Sequence, residues 1–183
     1  MEAKQLRKIQ LVIIIACLLV GTLLHFTYDW SGQNAFVGSF SAVNESVWEH
    51  LKLAFYPMLL AAVIGFFFLY KKTNNYIEAQ MIGIFSAISF ITVVYYTYTG
   101  IAGTHFVVID ILLFIFSILL GEEVAYRIEI KPDESTTISK VLSIGILVFL
   151  LLCFILCTYF TPKANYFKDP TNGTYGLPEK QIE

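Results

Sequence analysis

Five stretches of this chain, residues 9–28, 44–70, 76–99, 105–126 and 138–160, approach or exceed the ~20 apolar positions that carry an α-helix across ~30 Å of hydrocarbon. Each is too long for an ordinary strand. In lipid a spanning backbone must satisfy its own hydrogen bonds, which a helix does within one segment. The sequence therefore predicts an all-α fold, a polytopic membrane helix bundle with five transmembrane helices forming a single membrane domain over residues 1–183, with a tail at 161–183. Composition agrees: 57% of residues are hydrophobic and 14% charged, where a soluble domain carries roughly 25% charged residues. No basic patch points to nucleic acid.

The first run follows Lys4, Arg7 and Lys8 as a signal peptide would, and Ile14-Ile15-Ala16-Cys17 resembles a lipoprotein cleavage box. Apolar sequence continues to Phe26, however, well beyond the ~7–15 residues of a signal core, so an uncleaved helix is expected. Orientation follows from the basic residues. With the N-terminus inside, Lys4, Arg7, Lys8, Lys71, Lys72, Arg127, Lys131 and Lys140 lie on the cytoplasmic side, against Lys52, Lys163, Lys168 and Lys180 outside. That asymmetry predicts an N-in, C-out, multi-pass protein of the cell's inner (cytoplasmic) membrane. Cys17, Cys153 and Cys157 all fall within helices, so no disulfide is expected in an outer loop.

This topology gathers polar chemistry outside. Residues 44–52 read N-E-S-V-W-E-H-L-K, and His25, His50 and His105 all fall near the same boundary. Ser41, Asn44 and Ser46 are alternative helix caps there, Ser46-x-x-Glu49 matching a capping box. On a helix turning ~100° per residue, Glu45, Glu49, Lys52 and Tyr56 share a face, and His50 points ~100° from Glu49. Either the carboxylates and histidines converge on a metal or substrate, or Glu49 pairs with Lys52 while His50 caps a neighbouring backbone group. His25 and Asp29 stand at i,i+4, the spacing either for a carboxylate that orients a ligating imidazole or for a plain interfacial hydrogen bond. Asp110 follows His105 by five residues, ~7.5 Å deeper. At that depth it needs a partner, either a functional one or the Tyr and Thr hydroxyls of the preceding helix.

Imidazole and carboxylate donors at one membrane face match zinc chemistry. The metal ligands expected are His25, His50 and His105, with Glu45 or Glu49 as general base and Asp110 as a further catalytic group. The leading expectation is a divalent-metal site, sharpened to a metal-dependent hydrolase in which bound water attacks a lipid or other membrane-borne substrate. A second reading is a proton-coupled carrier or substrate-binding subunit for a small-molecule ligand, using Asp110 and Glu49. A third is a partner-binding assembly protein that uses the tail and first outer loop. The chain contains no H-E-x-x-H, G-x-S-x-G or P-loop pattern.

Three further features are legible. Pro57 lies inside the second run and frees the carbonyl of Leu53. Asp169-Pro170 and Asn172-Gly173 predict a small hairpin-like element across the outer mouth. Glu122, Glu123 and Arg127 predict a salt-bridged helix end on an otherwise bland cytoplasmic face.

Residues 43–53, V-N-E-S-V-W-E-H-L-K-L, together with H-F-T-Y-D-W-S-G at 25–32 and F-K-D-P-T-N-G-T-Y-G at 167–176, resemble an uncharacterised family of small bacterial integral membrane proteins. The resemblance spans most of the chain. It implies membership and a membrane location, and no activity.

Overall fold

A computed structural model describes residues 2–132 and 135–177. Its described residues form six α-helices: α1 (Ala3–Trp30), α2 (Ala35–Gly38), α3 (Val47–Leu69), α4 (Tyr76–Ala102), α5 (Val107–Glu129) and α6 (Thr137–Tyr159). A 3-10 turn, Asn165–Phe167, follows. The helix α1 starts several residues before its apolar run because Lys4, Gln5, Leu6, Arg7 and Lys8 are good helix formers and Leu6 and Gln10 are buried. The expected start of α3 at residue 44 is corrected to Val47. Ser46 is its N-cap, accepting a hydrogen bond from the Glu49 amide at 3.3 Å. The other half of the expected capping box is supplied by Asn44, whose Oδ1 accepts from the Ser46 amide at 2.9 Å.

Helices α1, α3, α4 and α6 are long and apolar enough to cross a membrane, which makes this a multi-pass membrane protein. The fifth expected span, α5, is as long as α3, but it carries Asp110 in its first turn and Glu122, Glu123, Arg127 and Glu129 towards its end. It packs against α1, α3 and, most extensively, α4. Small residues permit that approach: a Cβ on Gly83 would lie 2.6 Å from the Gly121 carbonyl oxygen, and one on Gly121 2.7 Å from that of Gly83. Helices α1 and α3 meet at Gly21, where an added Cβ would collide with the Leu53 carbonyl that Pro57 frees. Phe55, Ile84, Ile118 and Phe154 fill the core, and exposed apolar side chains such as Val12, Leu19, Phe67 and Phe149 cover the flanks.

At the end opposite the N-terminus, the segment after α6 folds back over the start of α3. Lys168 and Tyr175 form an antiparallel bridge, and the turn closes through the Gly173 amide to the Asp169 carbonyl at 2.9 Å. Gly173 sits at φ +77°, where a side chain would be strained. Trp48 packs on Phe154, Phe167 and Tyr166, with ring centroids 4.7, 4.9 and 5.7 Å away.

The N-terminal end is less bland than expected. Glu123 does pair with Arg127 at 2.7 Å, and also with Arg7 at 2.6 Å. Glu122, one position away, instead turns inward and is buried, as are Glu78 and Glu129. Gln10 donates to the Glu122 carbonyl, Gln80 to the Glu129 carboxylate at 2.8 Å, and Ser139 to Glu78.

Candidate metal centre

Placing the N-cap at Ser46 leaves Glu45 outside α3. Its side chain therefore does not share the helical face of Glu49 and Lys52, and the two carboxylates have different surroundings.

Glu49 is 2% exposed and Lys52 0%. The ammonium of Lys52 spends its three donors on Glu49 Oε2 at 2.7 Å, the Gly38 carbonyl at 2.8 Å and Thr158 Oγ1 at 2.5 Å. The same Glu49 oxygen accepts from the Val43 amide at 3.1 Å. One buried ion pair thus ties α3 to the end of α2, the following loop and α6. Of the two sequence readings, this is the Glu49–Lys52 pair, with no histidine in contact.

Glu45 turns the other way, towards His25 on α1 and His50 on α3. Its Oε1 lies 4.0 Å from His25 Nε2 and its Oε2 3.4 Å from His50 Nε2. The imidazole rings are 5.3 Å apart between centroids. One donor atom from each of these three residues lies within 4.8 Å of the others. All three side chains are partly exposed.

The orientation of His50 is fixed: Nδ1 lies 3.0 Å from the Ser46 carbonyl. A carbonyl only accepts, so Nδ1 carries a proton, and Nε2 is the ring nitrogen turned towards Glu45. His25 is held by an edge contact with Phe26, with centroids 4.9 Å apart. Its Nδ1 is buried and makes no hydrogen bond among the described residues, so the orienting bond expected from Asp29 is not formed.

The backbone of Glu45 is anchored from far along the chain. Its amide donates to Asp169 at 3.2 Å, while Asn44 Nδ2 donates to the Gly176 carbonyl at 2.9 Å. Asp169 also accepts from the Thr171 amide at 2.7 Å and the Thr171 hydroxyl at 2.6 Å. Burial pushes the Asp169 carboxyl upward, but hydrogen bonds from Thr171, Glu45 and Asn172 outweigh it and hold the group below its ordinary value. The Asp169-Pro170 turn is visible in the sequence. Its grip on Glu45 is not, because no local signal links residues 124 positions apart.

The third histidine stands elsewhere. His105 Nδ1 lies 3.0 Å from Asp110 Oδ2, and Tyr98 of α4 donates to Oδ1 of the same carboxylate. Tyr98 also accepts from the Phe106 amide at 3.3 Å. Asp110 thus has the tyrosine partner of its structural reading, plus His105, and neither joins the His25–Glu45–His50 group.

Two atoms bound tetrahedrally at ~2.0–2.1 Å from one zinc ion are roughly 3.4 Å apart. Glu45 Oε2 lies at this distance from His50, 3.4 Å away, while its other oxygen stands 4.0 Å from His25, and the three donor atoms within 4.8 Å must draw together to hold one ion. Imidazole nitrogen and carboxylate oxygen are donor types that bind zinc.

No curated protein and no solved structure matches the chain. Residues 1–177 match a family described as a family of unknown function, DUF6512. That match takes in both histidine-bearing helices, the loop with Glu45 and the tail with Asp169, and the chain belongs to this family.

Proposed function

We propose that this protein holds a divalent metal ion, zinc by its donor chemistry, between His25, Glu45 and His50, and uses it as a membrane-embedded hydrolase. The observation that carries the reading is the convergence of one donor atom from each of the three residues within 4.8 Å. The fixed ring orientation of His50 supports it, as does the anchoring of Glu45 by Asp169. In this reading α5 is the fifth span, the N-terminus is cytoplasmic, and the site faces outward from the cytoplasmic membrane.

His25, Glu45 and His50 would hold the ion, and zinc held there would supply a water whose pKa is lowered to about 7. The site lies at the ends of two membrane helices, so the matching substrate is membrane-borne, with its scissile group at headgroup depth. Glu45 is a ligand in this scheme and not the base. Glu49 acts indirectly, through the buried pair with Lys52 that flanks His50 and fixes the first turn of α3.

Metal analysis of the purified full chain tests the proposal. One zinc per chain is expected in the wild type, with loss in His25→Ala, Glu45→Ala and His50→Ala and retention in His105→Ala. A wild type without bound metal, or unchanged stoichiometry in all three ligand variants, would overturn it.

A further inference from the structure

Helices α1 and α3 touch firmly at two levels and part between them. Near the metal centre, Gly21 lies against the Leu53 carbonyl. At the N-terminal end, Leu6 packs with Leu69 and Tyr76. Between these contacts lies a lateral slot of about 480 Å³ whose lining is entirely apolar and includes Val12, Ala16, Cys17, Pro57, Ala61 and Ile64. Its size falls within the roughly 300–1,000 Å³ of small-molecule sites. The slot persists because the lining at Ala16, Cys17, Ala61 and Gly65 is small, and Gly65 cannot be enlarged without meeting the Tyr76 hydroxyl.

Length and charge identify the occupant. The α1 wall runs from Ile9 to Val20, eleven residue steps or about 16 Å, close to half of a ~30 Å hydrocarbon core. That is the depth of one leaflet, measured from the N-terminal end. At that end Lys8 precedes Val12 by one helical turn, Lys4 precedes Lys8 by another, and Lys71 follows the lining residue Phe68 by three positions. All three lysines are exposed, and among the described residues none makes an ion pair. A hydrocarbon slot one leaflet deep, with three exposed lysines placed at its N-terminal end, complements a lipid with an anionic head.

We infer that the α1–α3 slot binds one acyl chain of an anionic phospholipid from the leaflet at the N-terminal end, with its phosphate held among Lys4, Lys8 and Lys71. The site is separate from His25, Glu45 and His50, and its test involves none of them.

Native mass spectrometry of the delipidated full chain, titrated with phosphatidylglycerol or phosphatidylcholine, reads both halves of the site. The wild type is expected to retain one phosphatidylglycerol with at least roughly 25-fold preference over phosphatidylcholine. A surface lysine contributes roughly fivefold, so Lys4→Ala with Lys8→Ala should weaken phosphatidylglycerol roughly 25-fold and leave phosphatidylcholine unchanged. Ala61→Phe fills the slot and should weaken both lipids. Val12→Trp, at the exposed lip, blocks the same slot without entering the core and serves if Ala61→Phe fails to fold. Equal retention of the two lipids by the wild type, or retention unaffected by the folded blocking variants, would overturn the inference.

Discussion

Removing the ammonium of Lys52 should be among the most damaging single changes this chain can suffer. In Lys52→Met the stem volume is largely kept, but Glu49, 2% exposed, is left as a carboxylate without its counter-ion. The Gly38 carbonyl loses its 2.8 Å donor as well. Thr158 is spared, since its hydroxyl still donates to the Phe154 carbonyl at 2.8 Å. Breaking a buried pair from one side costs about 3–5 kcal/mol, a large share of the ~5–15 kcal/mol that holds a typical domain together. Glu49→Gln added to Lys52→Met removes the stranded charge while keeping an acceptor for the Val43 amide. The double variant should therefore be about 2 kcal/mol more stable than Lys52→Met alone, a coupling that neighbours in one network show and distant sites do not. Reversible unfolding in mixed micelles, followed by the fluorescence of Trp48, measures all three differences. The reasoning fails if Lys52→Met lies within about 1 kcal/mol of wild type, or if the added Glu49→Gln brings no recovery.

Other expectations rest on single contacts. In Gly21→Ala the new methyl meets the Leu53 carbonyl, and the Phe114 ring edge lies 2.7 Å away; a loss of about 1–3 kcal/mol in the same unfolding assay is expected. Because Asp169 is held below its ordinary value of 3.8, the stability it adds to the tail is complete above that value and is lost as pH falls through the depressed folded value. Protease cleavage within residues 161–177 should thus rise in acid, and Asp169→Asn should be equally labile at neutral pH and show no such acid step. In Tyr98→Phe the Asp110 carboxylate loses a hydroxyl donor and stability should fall by about 1.5–3 kcal/mol, with zinc stoichiometry unchanged if His105 and Asp110 lie outside the metal centre.

The helices were legible because an apolar run of some 20 residues has few alternatives, and Pro57 and Ser46 announced their local effects through backbone chemistry. The candidate cluster was legible in residue types and not in geometry. The face shared by Glu45, Glu49 and Lys52 assumed a helix from Asn44, and a shift of its start to Val47 was enough to send Glu45 to the histidines and leave Glu49 with Lys52. His105 looked equivalent to His25 and His50 by depth alone, but Asp110, itself held by Tyr98 of the preceding helix, takes up its ring. At the other end, Glu122 and Glu123 are indistinguishable in the sequence. One helical step of ~100° puts Glu122 in the interior and Glu123 between two arginines.

The hydrogen bond from the Glu45 amide to Asp169 also sets an order of assembly. During synthesis α1 and α3, with His25 and His50, emerge long before the tail, and can be inserted and packed at Gly21 while α6 is still unmade. The loop carrying Glu45 receives its anchor only when residue 169 arrives, 124 positions later. A nascent chain therefore displays two imidazoles without a positioned carboxylate, and the complete donor set forms only once the rest of the bundle is in place to receive it.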